Sequence, residues 1–147
     1  MKGIIKLEFF DKNNNKYFDF EDHNIIVDNS STIMSLALSD CKYGINALFI
    51  GNGGNPLMDY EGTTKLGNQV AIVKINNTLA VSNKSISFAN LSLTVSNDIL
   101  ASTTSINEFA LGYIEDDEQI IFNYKYLKTP VTVNPGGTIK VGWTIDF

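Results

Sequence analysis

Residues 138–147, "TIKVGWTIDF", alternate without a break. Ile139, Val141, Trp143, Ile145 and Phe147 are apolar, and Thr138, Lys140, Gly142, Thr144 and Asp146 between them are small or polar. A strand points successive side chains to opposite faces, so this segment has one oily face and one wet face. Chain ends commonly fray; a terminus patterned this strictly is expected to be a central strand. Trp143 is expected to be buried on the face shared with Ile139, Val141 and Ile145. The preceding "NPGGT" (134–138) reads as a turn: Pro135 fixes φ near about −65° and a glycine follows.

Working back along the chain, "EQIIFNYKYL" (118–127) places Ile120, Phe122, Tyr124 and Tyr126 on one expected face, with Ile121, Asn123 and Lys125 on a wetter one. An acidic turn, Glu115-Asp116-Asp117-Glu118, joins it to "INEFALGYI" (106–114). In "KSISFANLSLTV" (84–95), Ile86 and Phe88 share one parity and Leu91, Leu93 and Val95 the other. That phase slip predicts a β-bulge at Ala89 and Asn90. "QVAIVKI" (69–75) is a further strand. "NALFIGNGGNP" (46–56) runs apolar through Ala47, Leu48, Phe49 and Ile50, which predicts a strand buried on both faces before a glycine-rich loop. At the N-terminus "GIIKLEFF" (3–10), the turn "DKNNNK" (11–16) and "YFDF" (17–20) form a hairpin. The one helix expected lies in 24–40, capped by Ser30 or Ser31.

About eight short strands with polar turns and one short helix predict a mainly β protein: an antiparallel β-sandwich, Ig-like or jelly-roll-like, forming a single domain over 1–147. The strand at 106–111, the one at 47–50 and the terminal strand supply a full core. The strands 3–10 and 120–126 are therefore expected to be surplus, and to serve as docking faces for a dimer, a trimer or a shell protein.

Composition narrows the function. Of 147 residues, 44% are hydrophobic and 18% charged, enough for a core without metal or disulfide staples. The net charge of −5 and a pI near 4.7 oppose nucleic-acid binding, which needs clustered Lys and Arg. Cys41 is the single cysteine, so no intrachain disulfide forms, and a reducing compartment is expected. No window approaches the ~18 apolar residues of a membrane helix. "MKGIIKLEFFDK" lacks the pattern of a cleaved leader, so none is expected.

Candidate chemistry is sparse. His23 is the only histidine, and with Cys41 it lacks the base, orienter and oxyanion donors of a nucleophilic site. His23 reads as a loop residue and Cys41 as a small packing residue at a helix end. "GNGGNP" (51–56) lacks the Gly-Lys-Ser/Thr of a phosphate cradle and reads as a turn that needs positive φ. Asp19, Glu21 and Asp22, and the carboxylates at 115–118, lack the spacing of a calcium loop; zinc ligands are nearly absent. Phe122, Tyr124 and Tyr126 could stack on a sugar, though at strand spacing such a stripe is more often core or interface. We expect no enzyme activity, no catalytic or metal site and no cofactor.

Two segments carry a resemblance. "HNIIVDNSSTIMSLALSD" followed by "INALFIGNGG", and the closing "INEFALGYIEDDEQIIFNYKYLKTPVTVNPGGTIKVGWTIDF", resemble small β-rich virion proteins of tailed bacteriophages. There, a short helix leads to a strand ending in Gly-x-Gly-Gly, and an "I-x-E-x-G/A-L" strand, an aromatic strand and a terminal "V-x-W-T-I-x-F" strand follow. The similarity spans roughly 24–147, with little from 57–84. It implies a virion structural protein, expected as a capsid decoration (cement) or head-fibre protein that binds the assembled shell. A tail-fibre or baseplate component, or a carbohydrate-binding receptor module, is the alternative. The implied partners are the major capsid protein or other virion proteins and further copies of the chain, without nucleic acid or membrane. The implied location is the virion, assembled in the bacterial cytoplasm.

Overall fold

The computed structural model describes residues 1–40, 44–53, 61–75, 79–82, 84–96 and 104–147. Its elements are β1 (Lys2–Phe10), β2 (Lys16–Ile26), α1 (Ser30–Asp40), β3 (Ala47–Gly51), β4 (Gln69–Lys74), β5 (Leu79–Val81), β6 (Ser85–Thr94), β7 (Thr104–Glu115), β8 (Glu118–Val133) and β9 (Thr138–Asp146). The nine strands join in one antiparallel order, β4-β3-β7-β8-β2-β1-β9-β6-β5, which curls into a half-barrel. A half containing β5, β6, β9, β1 and β2 meets a half containing β4, β3, β7 and β8. The junction consists of two residue pairs, Ile25↔Tyr124 and Ile26↔Asn123.

The alternation of β9 does what it predicts. This strand lies between β1 and β6 and pairs with both along its length. Ile139, Val141, Trp143 and Ile145 are at most 1% exposed. They pack in one cluster with Ile5, Leu7 and Phe9 of β1, Phe88, Leu91 and Leu93 of β6, and Leu48, Ile50, Phe109 and Leu111 across the curl. Phe147 follows the strand and is exposed, so the apolar face ends one step earlier than its pattern. The bulge in β6 falls between Phe88 and Leu91, where the phase slips. β3 is buried on both faces: Leu48 and Ile50 face the main core, and Ala47 and Phe49 join a second cluster with Val27, Leu66, Ala110, Ile121 and Tyr124. Gly136 has φ 88 and sits in a turn closed by Gly137 N–H donating to the Asn134 carbonyl. A Cβ there forces an L residue into the left-handed region, so Gly136→Ala should destabilise by about 1–2 kcal/mol, measured by urea denaturation.

Several expectations are corrected. The described residues form nine strands where about eight are expected; the short β5 carries no pattern long enough to read. β2 runs on through Glu21, Asp22 and His23, so His23 is a strand residue and not a loop residue. The helix begins at Ser30, and 24–26 belong to β2. The Ser31 hydroxyl donates to the Asp28 carbonyl instead of accepting an orphan N–H. The aromatic face at 120–126 is split. A bulge lets two β8 steps, from Asn123 to Ile121, oppose the single step from Leu111 to Gly112, so Phe122 enters the main core while Ile121 and Tyr124 enter the second. The Asn123 side-chain oxygen, Oδ1, accepts the Leu111 N–H at that point.

The two strands expected to be surplus are not. β1 lies between β2 and β9, β8 lies between β7 and β2, and Ile5, Leu7, Phe9, Ile121, Phe122 and Tyr124 are all buried. A curled sheet wraps its core from both halves, so each half needs its own central strand. Neither strand is available as an apolar docking face; of the aromatic stripe, Phe122 and Tyr124 are buried and Tyr126 is half-buried.

Candidate functional site

The residues singled out from the sequence do not converge. His23 is exposed on β2, and Cys41 lies outside the described residues. Asp19 and Glu21 point to the outer face of β2, whereas Asp22 pairs with Ile5 on the inner face; strand alternation separates the three carboxylates. The acidic run becomes a tight turn, with Glu115 opposite Glu118 and Asp116 at φ 50. Of the glycine-rich loop, 54–56 lie outside the described residues. Gly51 and Gly53 do not have positive φ; they are glycine for another reason. A Cβ on Gly51 would sit 2.7 Å from Glu108 Oε2, and one on Gly53 would sit 2.5 Å from the Asn68 nitrogen.

Glu108 is the residue that sequence reasoning missed. It lies on β7, wholly buried. Its Oε2 accepts from Gly53 N–H at 2.9 Å and Asn68 N–H at 3.3 Å, and its Oε1 from Gly67 N–H and Tyr124 O–H, both at 2.8 Å. Four donors suit an acceptor-only carboxylate. This is a staple that ties the loops after β3 and before β4 to the second core. A carboxylate inside "INEFALGYI" was the available signal, because a buried charge must collect donors.

The second feature is a seam. From the two pairs that join β2 to β8, the strands diverge, leaving a cleft of about 440 Å³ whose walls include Phe18, Phe20, Tyr126 and Leu127. Val27 N–H donates to the Phe122 carbonyl at the closed end. Backbone groups of a strand point to alternate edges, so the odd-numbered residues of β2 direct theirs into the seam. The His23 carbonyl confirms this, since it accepts from Lys125 Nζ of β8 at 2.8 Å. Lys125 also pairs with Asp22 at 2.5 Å and lies over the Phe20 ring, 5.3 Å from its centre. At the open end, the Tyr17 hydroxyl donates to the Thr132 carbonyl at 2.9 Å. Two side-chain struts thus cross a gap that no ladder fills among the described residues.

The Lys125 hydrogen bond is the chief reason the Asp22 carboxyl titrates below its ordinary value of 3.8, with the His23 N–H second. A depressed folded pKa contributes stability above the unfolded value and loses it as pH falls through the folded one. Acidification below the ordinary Asp range should therefore weaken this strut. The check is an NMR acid titration of the Lys125 and His23 signals, in which Asp22→Asn should remove the low-pH transition.

No protein-family model, curated protein or solved structure matches the chain.

Proposed function

We propose that this protein is a structural component of a tailed-bacteriophage virion, an auxiliary decoration (cement) or head-fibre protein that binds the assembled shell. The observation behind the reading is the order of segments at 24–50 and 106–147 that resemble such proteins. In the fold these segments are direct neighbours: β3 pairs with β7, β7 with β8, and β9 sits at the middle of the other half. In this reading the two halves of the curled sheet act as the layers of an Ig-like or jelly-roll-like sandwich. The chain acts by binding, not by catalysis, and works as repeated copies on virion proteins. A rigid β-rich body with charged faces suits that task, because a lattice partner needs a surface that holds its shape.

The test is quantitative mass spectrometry of particles banded on a density gradient from the source lysate. Tens to hundreds of copies per particle are expected. Absence from purified particles, with the protein recovered only in the soluble fraction, contradicts the proposal.

A further inference from the structure

We infer that Asn52-Gly53 is a latent self-modification site, at which the Asn52 side chain can convert to an aspartate or isoaspartate, and that the Glu108 carboxylate holds it unreacted. The inference goes beyond the virion reading and does not depend on it.

Asn52-Gly53 is the one Asn-Gly dipeptide of the chain. Glycine carries no side chain to shield its nitrogen and turns freely, so this nitrogen reaches the preceding side-chain amide with the least hindrance. In the reaction, the Gly53 nitrogen gives up its proton and attacks Asn52 Cγ. An N–Cγ bond forms, the Cγ–Nδ2 bond breaks, and ammonia leaves with the proton that Gly53 lost. Water then opens the five-membered imide. Opening at Cγ leaves an aspartate in the ordinary backbone. Opening at the main-chain carbonyl leaves an isoaspartate, in which the backbone runs through the side chain. Either product makes the net charge of −5 one unit more negative.

Both reacting groups are held. Gly53 N–H donates to Glu108 Oε2 at 2.9 Å. Asn52 Oδ1 accepts from Asn68 Nδ2 at 2.6 Å, and Asn52 N–H donates to the Asn68 carbonyl at 3.0 Å. The backbone also packs closely here, since a Cβ on Gly53 would stand 2.5 Å from the Asn68 nitrogen. A carboxylate beside a reacting N–H can act as a base or as a guard, and its surroundings decide which. Glu108 accepts from four donors, which favour its ionised form and make it a poorer base. Removing the Gly53 proton would set a second negative charge against a wholly buried carboxylate. A like charge opposes ionisation, and it does so more strongly where protein replaces water. Both effects make Glu108 a guard.

Reaction would undo the staple from its Gly53 side. An isoaspartate lengthens the backbone by one carbon between Asn52 and Gly53, which draws Gly53 N–H off Oε2 and releases the loop after β3 irreversibly.

The test is incubation of the full chain at mildly alkaline pH, with conversion at residue 52 followed by peptide mass spectrometry and by the new charge on ion exchange. A capped peptide of residues 50–55 gives the unguarded rate. The folded protein should convert at least tenfold more slowly than the peptide. Glu108→Gln removes the charge but keeps the volume, and should convert at least fivefold faster than the wild type; Glu108→Ala should be faster still. Trp143→Phe, which weakens the other half of the sheet, controls for general loosening and should leave the rate within twofold of the wild type. Circular dichroism establishes that each variant is folded, and the Gln variant decides the matter where the Ala variant does not fold. Conversion of the wild type at the peptide's rate, no acceleration in Glu108→Gln, or equal acceleration in Trp143→Phe would overturn the inference.

Discussion

Replacing Trp143 with Ala is expected to cost about 3–5 kcal/mol of folding stability, the range for emptying a fully buried large side chain. The residue is 1% exposed in the strand that links β1 to β6. Its loss opens a cavity where both neighbouring strands contribute side chains: Ile5 and Phe88 are its direct cross-strand partners. A polar penalty adds to the cavity. Trp143 Nε1–H donates to Asn24 Oδ1 at 2.8 Å. Gly3, opposite Asn24 on β1, makes the room, since a Cβ there would stand 1.9 Å from that same oxygen. Trp143→Phe keeps most of the volume but strands the Asn24 oxygen, and should cost about 1–3 kcal/mol. Guanidinium denaturation measures both. A loss below about 1 kcal/mol for the Ala variant is incompatible with a central β9, because buried aromatic truncations cost several times that. Deleting 142–147 should abolish soluble folding, as it removes this side chain and the ladders to β1 and β6 together.

Glu108→Ala is the second large effect, at about 4 kcal/mol, because it empties a wholly buried position and removes the carboxylate on which four donors converge. The Gly53, Gly67 and Asn68 N–H groups and the Tyr124 hydroxyl all converge on this carboxylate. Glu108→Gln keeps the volume and one acceptor oxygen, and should cost about half as much. Beyond stability, the Ala variant should release the two loops that the carboxylate holds. Amide exchange at Gly53, Gly67 and Asn68 should therefore accelerate more than exchange in β9. Uniform acceleration throughout the chain would show global unfolding instead of release of a staple.

Strand periodicity was legible wherever a strand has one wet face or is buried on both. β9, the bulge in β6 and the continuous burial of β3 were all visible in single-residue patterns. Register errors arose where a bulge lies between residues of one apolar run, as at Phe122, because apolar neighbours on both sides hide the change of phase. The sequence of β2 reads short because Glu21, Asp22 and His23 resemble a loop, whereas all three are exposed residues within the strand. Glu108 was visible as a charge in an apolar run, but its partners come from 53 and 67–68, and no local pattern announces a pairing at that separation. The seam arises from where β2 and β8 part company, a property of the curl that no single segment contains.

Amide hydrogen exchange across β2 and β9 tests the central claim, a sheet built around β9 in which the β8-facing edge of β2 is unpaired at Asp19 and Glu21 among the described residues. The amides of Ile5, Val141 and Trp143 should exchange only through global unfolding, whereas those of Asp19 and Glu21 should exchange at least a hundredfold faster. Equal protection of Asp19, Glu21 and Trp143 would mean that the seam is closed, and would contradict the account.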